Sequence, residues 1–400
     1  MTAPSKETPV LPLAGLTVVT LEHAVAGPFA TRQLADLGAR VIKVERPGSG
    51  DFARGYDSRV RGLASHFVWT NRSKESLTLD VKHPAAAEVL ERLVLEKADV
   101  VVQNLAPGAA ARLGLGYAQL AARRPGIIVC DISGYGGDGP YRDKKAYDLL
   151  IQSEAGFVSV TGTAAEPSKA GPSIADIAAG MYAFTNILAA LLHRERTGAG
   201  QHIDVSMLES LTEWMSYPLY YAFEGAPPPP RTGSAHATIY PYGSFRTGDG
   251  GSVVTGLQNE REWTAFCEIV LQRPDLADDP RFAGNAARVA ERAAVEKIID
   301  DVFGALTTPQ VLDRLDAARI ANARLNTMHE VWEHPQLEAR DRWRQVDTPA
   351  GPVPALLPPG SRTDVRMDPV PALGEHTDAV LAELAYSSAE IAALHQAGVA

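Results

Sequence analysis

The sequence has 400 residues, too many for one core of ordinary size, so two domains are expected. Hydrophobic residues make up 45% and charged residues 22%, which excludes a disordered chain. The net charge is −10, which argues against a dedicated nucleic-acid binder and leaves an anionic ligand only locally gathered cations.

Met1 to Leu13 lacks the basic start and apolar stretch of a signal peptide, and no run approaches the roughly 18 apolar residues of a membrane span. A cytoplasmic protein without membrane contact is expected. Residues 16–22 are β-branched and apolar and read as a buried strand. Gly27-Pro28 opens a helix to Leu37, with Gly38 as its C-terminal cap, and 40–45 is the next strand. The alternation continues with strands at 76–80, 99–104 and 126–133 and helices at 84–97 and 108–123. A long helix rich in Ala and Gly spans 175–194, then a strand at 201–207 and an aromatic-rich helix at 208–223. This pattern is a Rossmann-like α/β domain with a parallel sheet.

A proline run at 227–230 forms a stiff connector. Beyond it, strands at 242–246 and 252–257 and helices at 260–271, 285–306 and 308–318 predict a smaller α+β domain. A hairpin is expected at 340–356 and a helical tail at 377–398. The expected division is 1–227 for the large domain, 228–325 for the small one, and 326–400 for a linker and return to the large domain.

Gly134-Tyr-Gly136-Gly-Asp-Gly139 matches G-x-G-x-x-G formally, but the residues from Pro140 to Lys145 read as a loop, not the helix that a dinucleotide site needs. Cys130 and Cys267 read as buried reduced thiols. His329 and His334 have no cysteine pair beside them, so no metal is expected. Arg46, Arg72, Lys74 and Lys145 fall at predicted strand ends or adjoining loops, and Arg112 on a helix after Asn104. The carboxyl ends of parallel strands converge on one crevice, so a phosphate-bearing ligand is expected there. His23 follows the first strand and is a further candidate for that crevice. Asp176 opens the long helix and reads equally as an N-cap. Asp148 and Glu154 raise the same question, and periodicity does not rank the three carboxylates.

Several ordered stretches resemble the class III coenzyme A transferases and the related α-methylacyl-CoA racemases. They include Leu37-Gly-Ala-Arg-Val-Ile-Lys-Val-Glu-Arg-Pro-Gly48, Asn71-Arg-Ser-Lys74, Ala98-Asp-Val-Val-Val-Gln-Asn104, Ala146-Tyr-Asp148 and Arg196-Thr-Gly-Ala-Gly200. The resemblance implies an acyl-CoA:carboxylate CoA-transferase with Asp176 as covalent nucleophile, supported by His23, Tyr147 and Asp148. It implies CoA contacts from Arg46, Lys74, Asn104, Leu105, Arg112 and Lys145, with Val25 and Arg72 counted to the same crevice. It further implies an interlocked homodimer, CoA thioesters as substrates, and no metal, ATP or tightly bound cofactor. Tyr147 stands where the racemases carry a His, and Asn259 where they carry a Glu, which disfavours α-proton exchange. Val25 stands where the formyl-CoA branch has Gln, so a small dicarboxylate such as succinate, malate, mesaconate, itaconate or citramalate is expected. Alternatives are CoA transfer within one dicarboxylate, a racemase-type isomerase and a non-catalytic CoA-binding protein.

Overall fold

A computed structural model describes residues 10–360 and 365–400. The chain divides into two units. The first is built on six parallel strands, β1 (Thr17–Leu21), β2 (Arg40–Glu45), β3 (Lys74–Thr78), β4 (Val100–Gln103), β5 (Ile128–Ser133) and β6 (His202–Ser206). Their order is β3-β2-β1-β4-β5-β6, the Rossmann arrangement expected from the alternation. Leu21 lies in register with Gln103, so the strand order reverses between β1 and β4, and the carboxyl-end crevice opens there.

Helices α1 (Ala26–Asp36), α2 (Pro84–Arg92), α3 (Asp148–Glu154), α4 (Ile174–Thr197) and α5 (Met207–Trp214) belong to the same unit. Below the sheet, Val89 and Leu90 of α2 pack with Val19, Ile42 and Leu77, all fully buried. Helix α4 packs against α1, β5 and β6. By length and composition α4 is apolar enough to cross a membrane, which corrects the expectation that no segment approaches that measure. Ala178, Ala179, Ala183, Ile187 and Ala190 on it are fully buried within the unit, as in the core helix of a globular domain.

The second unit holds the three-stranded sheet β7 (Tyr242–Arg246), β8 (Ser252–Gly256) and β9 (Asn322–Arg324). Helices α6 (Glu260–Ala265), α7 (Arg292–Phe303) and α8 (Thr308–Ala317) accompany it, and Phe245, Val253, Phe266, Phe282 and Phe303 fill its core. The chain then returns to the first unit as the hairpin β10 (Trp343–Val346) and β11 (Val353–Leu356), with helices α9 (Thr377–Glu383) and α10 (Ser388–Gln396). Thr377 Oγ1 accepts the Thr78 N–H at 3.0 Å, tying this return to β3.

The boundaries differ from those expected. The second unit comprises Gly156–Ala170 and Ser216–Glu338, not 228–325. The reason is local: Arg231 donates to the carbonyls of Ser159, Thr163 and Ala164 at 3.2, 2.9 and 3.2 Å. The expected helix at 84–97 is continuous, with a π-helical last turn from Leu93 to Lys97, whereas those at 108–123 and 285–306 are broken into shorter pieces, the first of these at the Gly114–Gly116 turn.

Candidate active site

Helix α4 begins after Ser173, which makes no side-chain cap. The cap comes from elsewhere in the sequence. Asp148 Oδ1 accepts the backbone N–H groups of Ala175 at 2.8 Å and Asp176 at 3.4 Å, while Gln152 Nε2 donates to Asp148 Oδ2 at 2.6 Å. Asp176 is therefore not the N-cap that its position allowed, and its side chain is free for another task. Burial, then the negative charge of Asp148, push its carboxyl up to about 7, against a hydrogen bond from the Ala26 N–H that favours the charged form.

Ala26 opens α1, whose first turn has no acidic residue and whose N-terminus has no side-chain cap. Pro28 has no N–H and the Phe29 N–H bonds the Val25 carbonyl at 2.7 Å, so the N–H groups of Ala26 and Gly27, with the helix dipole, make that end a natural partner for an anion. Close packing brings it to α4. A Cβ on Gly180 would lie 2.8 Å from the Ala26 carbonyl oxygen and 2.9 Å from Phe29 Cδ1, so only glycine lets the helices approach this far. Tyr56 and Tyr147 complete the surroundings. The Tyr56 hydroxyl is pushed up to about 12 by burial and by Asp51, Asp176 and Tyr147. Tyr147 is 69% exposed, immediately before α3. Sequence reasoning missed Tyr56, because no local pattern marks a tyrosine in a loop.

The loop from β1 to α1 is held tightly. Asn104 accepts the His23 N–H at 2.8 Å and donates to the His23 carbonyl at 2.9 Å. The His23 ring stacks on Phe52 at 5.0 Å, with Nδ1 3.8 Å from Asp51 Oδ1. Val25 is buried at the helix start, and Leu105 is half-buried against the hydrophobic core. Asn104 thus spends its amide on the protein backbone, not on an open crevice.

Two expected crevice cations are engaged internally. Arg72 and Lys74 lie at the amino-terminal start of β3, and the Lys74 side chain runs back to Glu22 and Pro28, beyond the carboxyl end of β1. Arg72 makes a bidentate pair with Asp36 at 2.8 and 2.7 Å and is 5% exposed. Lys74 is buried and donates to Glu22 at 2.7 Å, the Pro28 carbonyl at 3.0 Å and Asn71 at 3.1 Å. Burial lowers its ammonium to about 8, while Glu22 opposes the shift. Both side chains are committed to internal carboxylates, so neither is presented to a phosphate. Arg46, by contrast, is exposed directly after β2, Arg112 is exposed on the turn after Asn104, and Lys145 is exposed in the loop before α3. Lys82, not singled out from the sequence, is exposed just past the carboxyl end of β3. A correct start for β3 was the signal that would have exchanged Lys74 for Lys82. The Gly134–Gly139 segment is a loop, fastened by a Gly137 N–H bond to Asp204 at 2.9 Å, and no helix follows it.

A model of CoA-transferase family III matches residues 13–377. The chain is 37% identical to the succinate–glutarate CoA-transferase of Agrobacterium fabrum, over 93% of this chain and 96% of that one. It is 33% identical to the succinyl-CoA:mesaconate CoA-transferase of Haloarcula hispanica, over 93% and 96%. The crystal structure of a CAIB/BAIF family protein from Brucella suis superimposes with a TM-score of 0.83 at 36% identity, covering 94% of this chain and all of that one.

Proposed function

Because the chain belongs to CoA-transferase family III and is an enzyme that transfers coenzyme A, we propose that it moves CoA from an acyl-CoA to a small dicarboxylate through Asp176. The observation that carries this reading is the Asp176 carboxyl on the first turn of α4, left without a capping task because Asp148 accepts the N–H groups at that helix start. A carboxyl raised to about 7 is a stronger nucleophile than an ordinary aspartate and is still substantially ionised at neutral pH.

In the proposed reaction the Asp176 carboxylate attacks the thioester carbonyl. The C–S bond breaks, giving a mixed anhydride and CoA thiolate. The thiolate attacks the Asp176 carbonyl, forming an aspartyl thioester and releasing the donor acid with one oxygen from Asp176. The acceptor carboxylate then attacks this thioester and expels the thiolate. Attack of the thiolate on the acceptor carbonyl gives the new acyl-CoA and returns Asp176 with one acceptor oxygen. Each tetrahedral oxyanion at the Asp176 carbonyl forms beside the Ala26 N–H, which supports its charge.

The exposed cations Arg46, Lys82, Arg112 and Lys145 suit the phosphates of CoA. The relatives named for glutarate and mesaconate favour short dicarboxylates as acceptors, with succinyl-CoA as donor. This reading includes a homodimer in the cytoplasm. Its motive is the aromatic run Tyr217, Tyr220 and Phe223 in the second unit, 55%, 78% and 64% exposed. Light scattering tests the dimer. Succinyl-CoA offered with a panel of dicarboxylates tests the chemistry. Wild type is expected to form the acceptor-CoA and Asp176→Ala none. An active Asp176→Ala chain sinks the carrier role, and a panel without an acceptor sinks the substrate class.

A further inference from the structure

The turn that leads into α1 is strained and heavily fastened. Ala24 has φ 62°, the left-handed region that a residue with a side chain enters only when its surroundings require it. Its N–H donates to Asp51 Oδ1 at 3.1 Å, and the same oxygen accepts the Ala53 N–H at 2.9 Å. The other oxygen, Oδ2, pairs with Lys43 Nζ at 2.8 Å. Asp51 and Lys43 are both 0% exposed. Lys43 also donates to the Glu22 carbonyl at 3.3 Å, and Asn104 grips His23 by both its N–H and its carbonyl. Three consecutive residues, Glu22 to Ala24, therefore each have a main-chain group held by a side chain. A strand-to-helix connection does not need this to exist. Two residues after Ala24 comes Ala26, the first residue of α1, whose carbonyl oxygen would lie 2.8 Å from a Cβ on Gly180, one turn along α4 from Asp176.

We propose that Asp51 is a positioning residue: through the bond from the Ala24 N–H it fixes the turn before α1 and so directs the Ala26 N–H at the Asp176 carboxylate. This rests on the reading of Asp176 as nucleophile. If Asp51 merely neutralised Lys43, the bond to Ala24 would be incidental. Asparagine separates the two roles, because its carbonyl oxygen still accepts from Ala24 and Ala53 while its charge is gone.

The test compares Asp51→Ala and Asp51→Asn with wild type in kcat, KM for acyl-CoA and pH profile, with thermal unfolding as the check on folding. The groups facing Asp51 are Lys43, Lys74, His23, Glu22, Glu45 and Tyr56, and those facing Asp176 are Asp148, Tyr56 and Tyr147. Asp51→Ala is expected to lower kcat on the order of 10²-fold with KM changed less than about threefold. It should also move the acidic limb of the profile upward, because Asp176 loses a bond to its charged form. Asp51→Asn should recover most of kcat and the wild-type limb. A loss confined to KM, an unmoved limb, or an Asn variant no better than Ala overturns the proposal. If Asp51→Ala does not fold, Ala24→Val strains the turn without entering the buried cluster and must give the same signature. Hydroxylamine trapping of the acyl-enzyme keeps the two readings apart. No adduct on Asp176 in wild type ends the nucleophile reading itself. An adduct formed as fast in Asp51→Ala as in wild type ends only the positioning role.

Discussion

Two carboxylates share the start of α4, and their hydrogen bonds assign them different tasks. Asp148 accepts N–H groups of the helix and is itself held by Gln152, whereas the Asp176 carboxyl caps nothing and is pushed up by burial. Removing the Asp148 charge relieves one cause of the raised Asp176 pKa. Asp148→Asn is therefore expected to shift the acidic limb of activity downward, and Asp148→Ala to cost a further ~1 kcal/mol of stability through the lost cap. A pH profile and a denaturant titration read the two effects. Asp176 also carries a sign in stability. Its carboxyl titrates near 3.8 when unfolded and at about 7 when folded, so the folded state holds its proton more tightly. Its contribution is intact below about pH 4 and is lost as pH rises through 7. Asp176→Asn should thus stabilise the protein at pH 8 by up to about 4 kcal/mol and have little effect at pH 4, as measured by unfolding at both values. None of this was legible locally. Residues 172–176 fit an N-cap aspartate, and nothing in them announces a cap delivered from a residue 28 positions earlier. The long family-like stretches singled out Asp176; the geometry then showed what leaves it free.

At the scale of elements, the strands were legible because their apolar, β-branched runs are local properties. The places of β1, β2 and the hairpin β10–β11 agree with expectation to within a few residues. The start of β3 was not legible. Arg72 and Lys74 look like surface cations until Asp36 and Glu22, remote in sequence, draw them inside. Arg72→Met is expected to destabilise the fold by roughly 3–5 kcal/mol, because it leaves Asp36 a buried carboxylate with one partner fewer, and to leave KM for acyl-CoA unchanged. A raised KM with unchanged stability would return Arg72 to the crevice. The packing of α1 on α4 makes the complementary prediction. Gly180→Ala places a methyl against the Ala26 carbonyl, so it should cost about 1–3 kcal/mol and lower kcat by shifting the N–H that faces Asp176. Unfolding curves and steady-state kinetics on the same preparation check both parts.

For the whole molecule, a net charge of −10 coexists with exposed Arg46, Lys82 and Arg112 along the carboxyl side of one sheet. Such a local cationic edge should attract a polyanionic substrate through water, so KM for acyl-CoA is expected to rise with ionic strength, and Arg46→Ala to flatten that dependence. The six-stranded parallel sheet of the first unit was legible as a strand–helix alternation. The membership of Gly156–Ala170 in the second unit was not, since it depends on Arg231 finding three carbonyls some 70 positions away. Transfer by this chain, as proposed, turns on Asp176 as the carrier of CoA. The most direct measurement is peptide mass spectrometry after incubation with acyl-CoA and hydroxylamine. It should show a hydroxamate on Asp176 that appears only with acyl-CoA and is absent from Asp176→Ala. Sustained CoA transfer with Asp176 unmodified, or transfer by the Asp176→Ala chain, would contradict it.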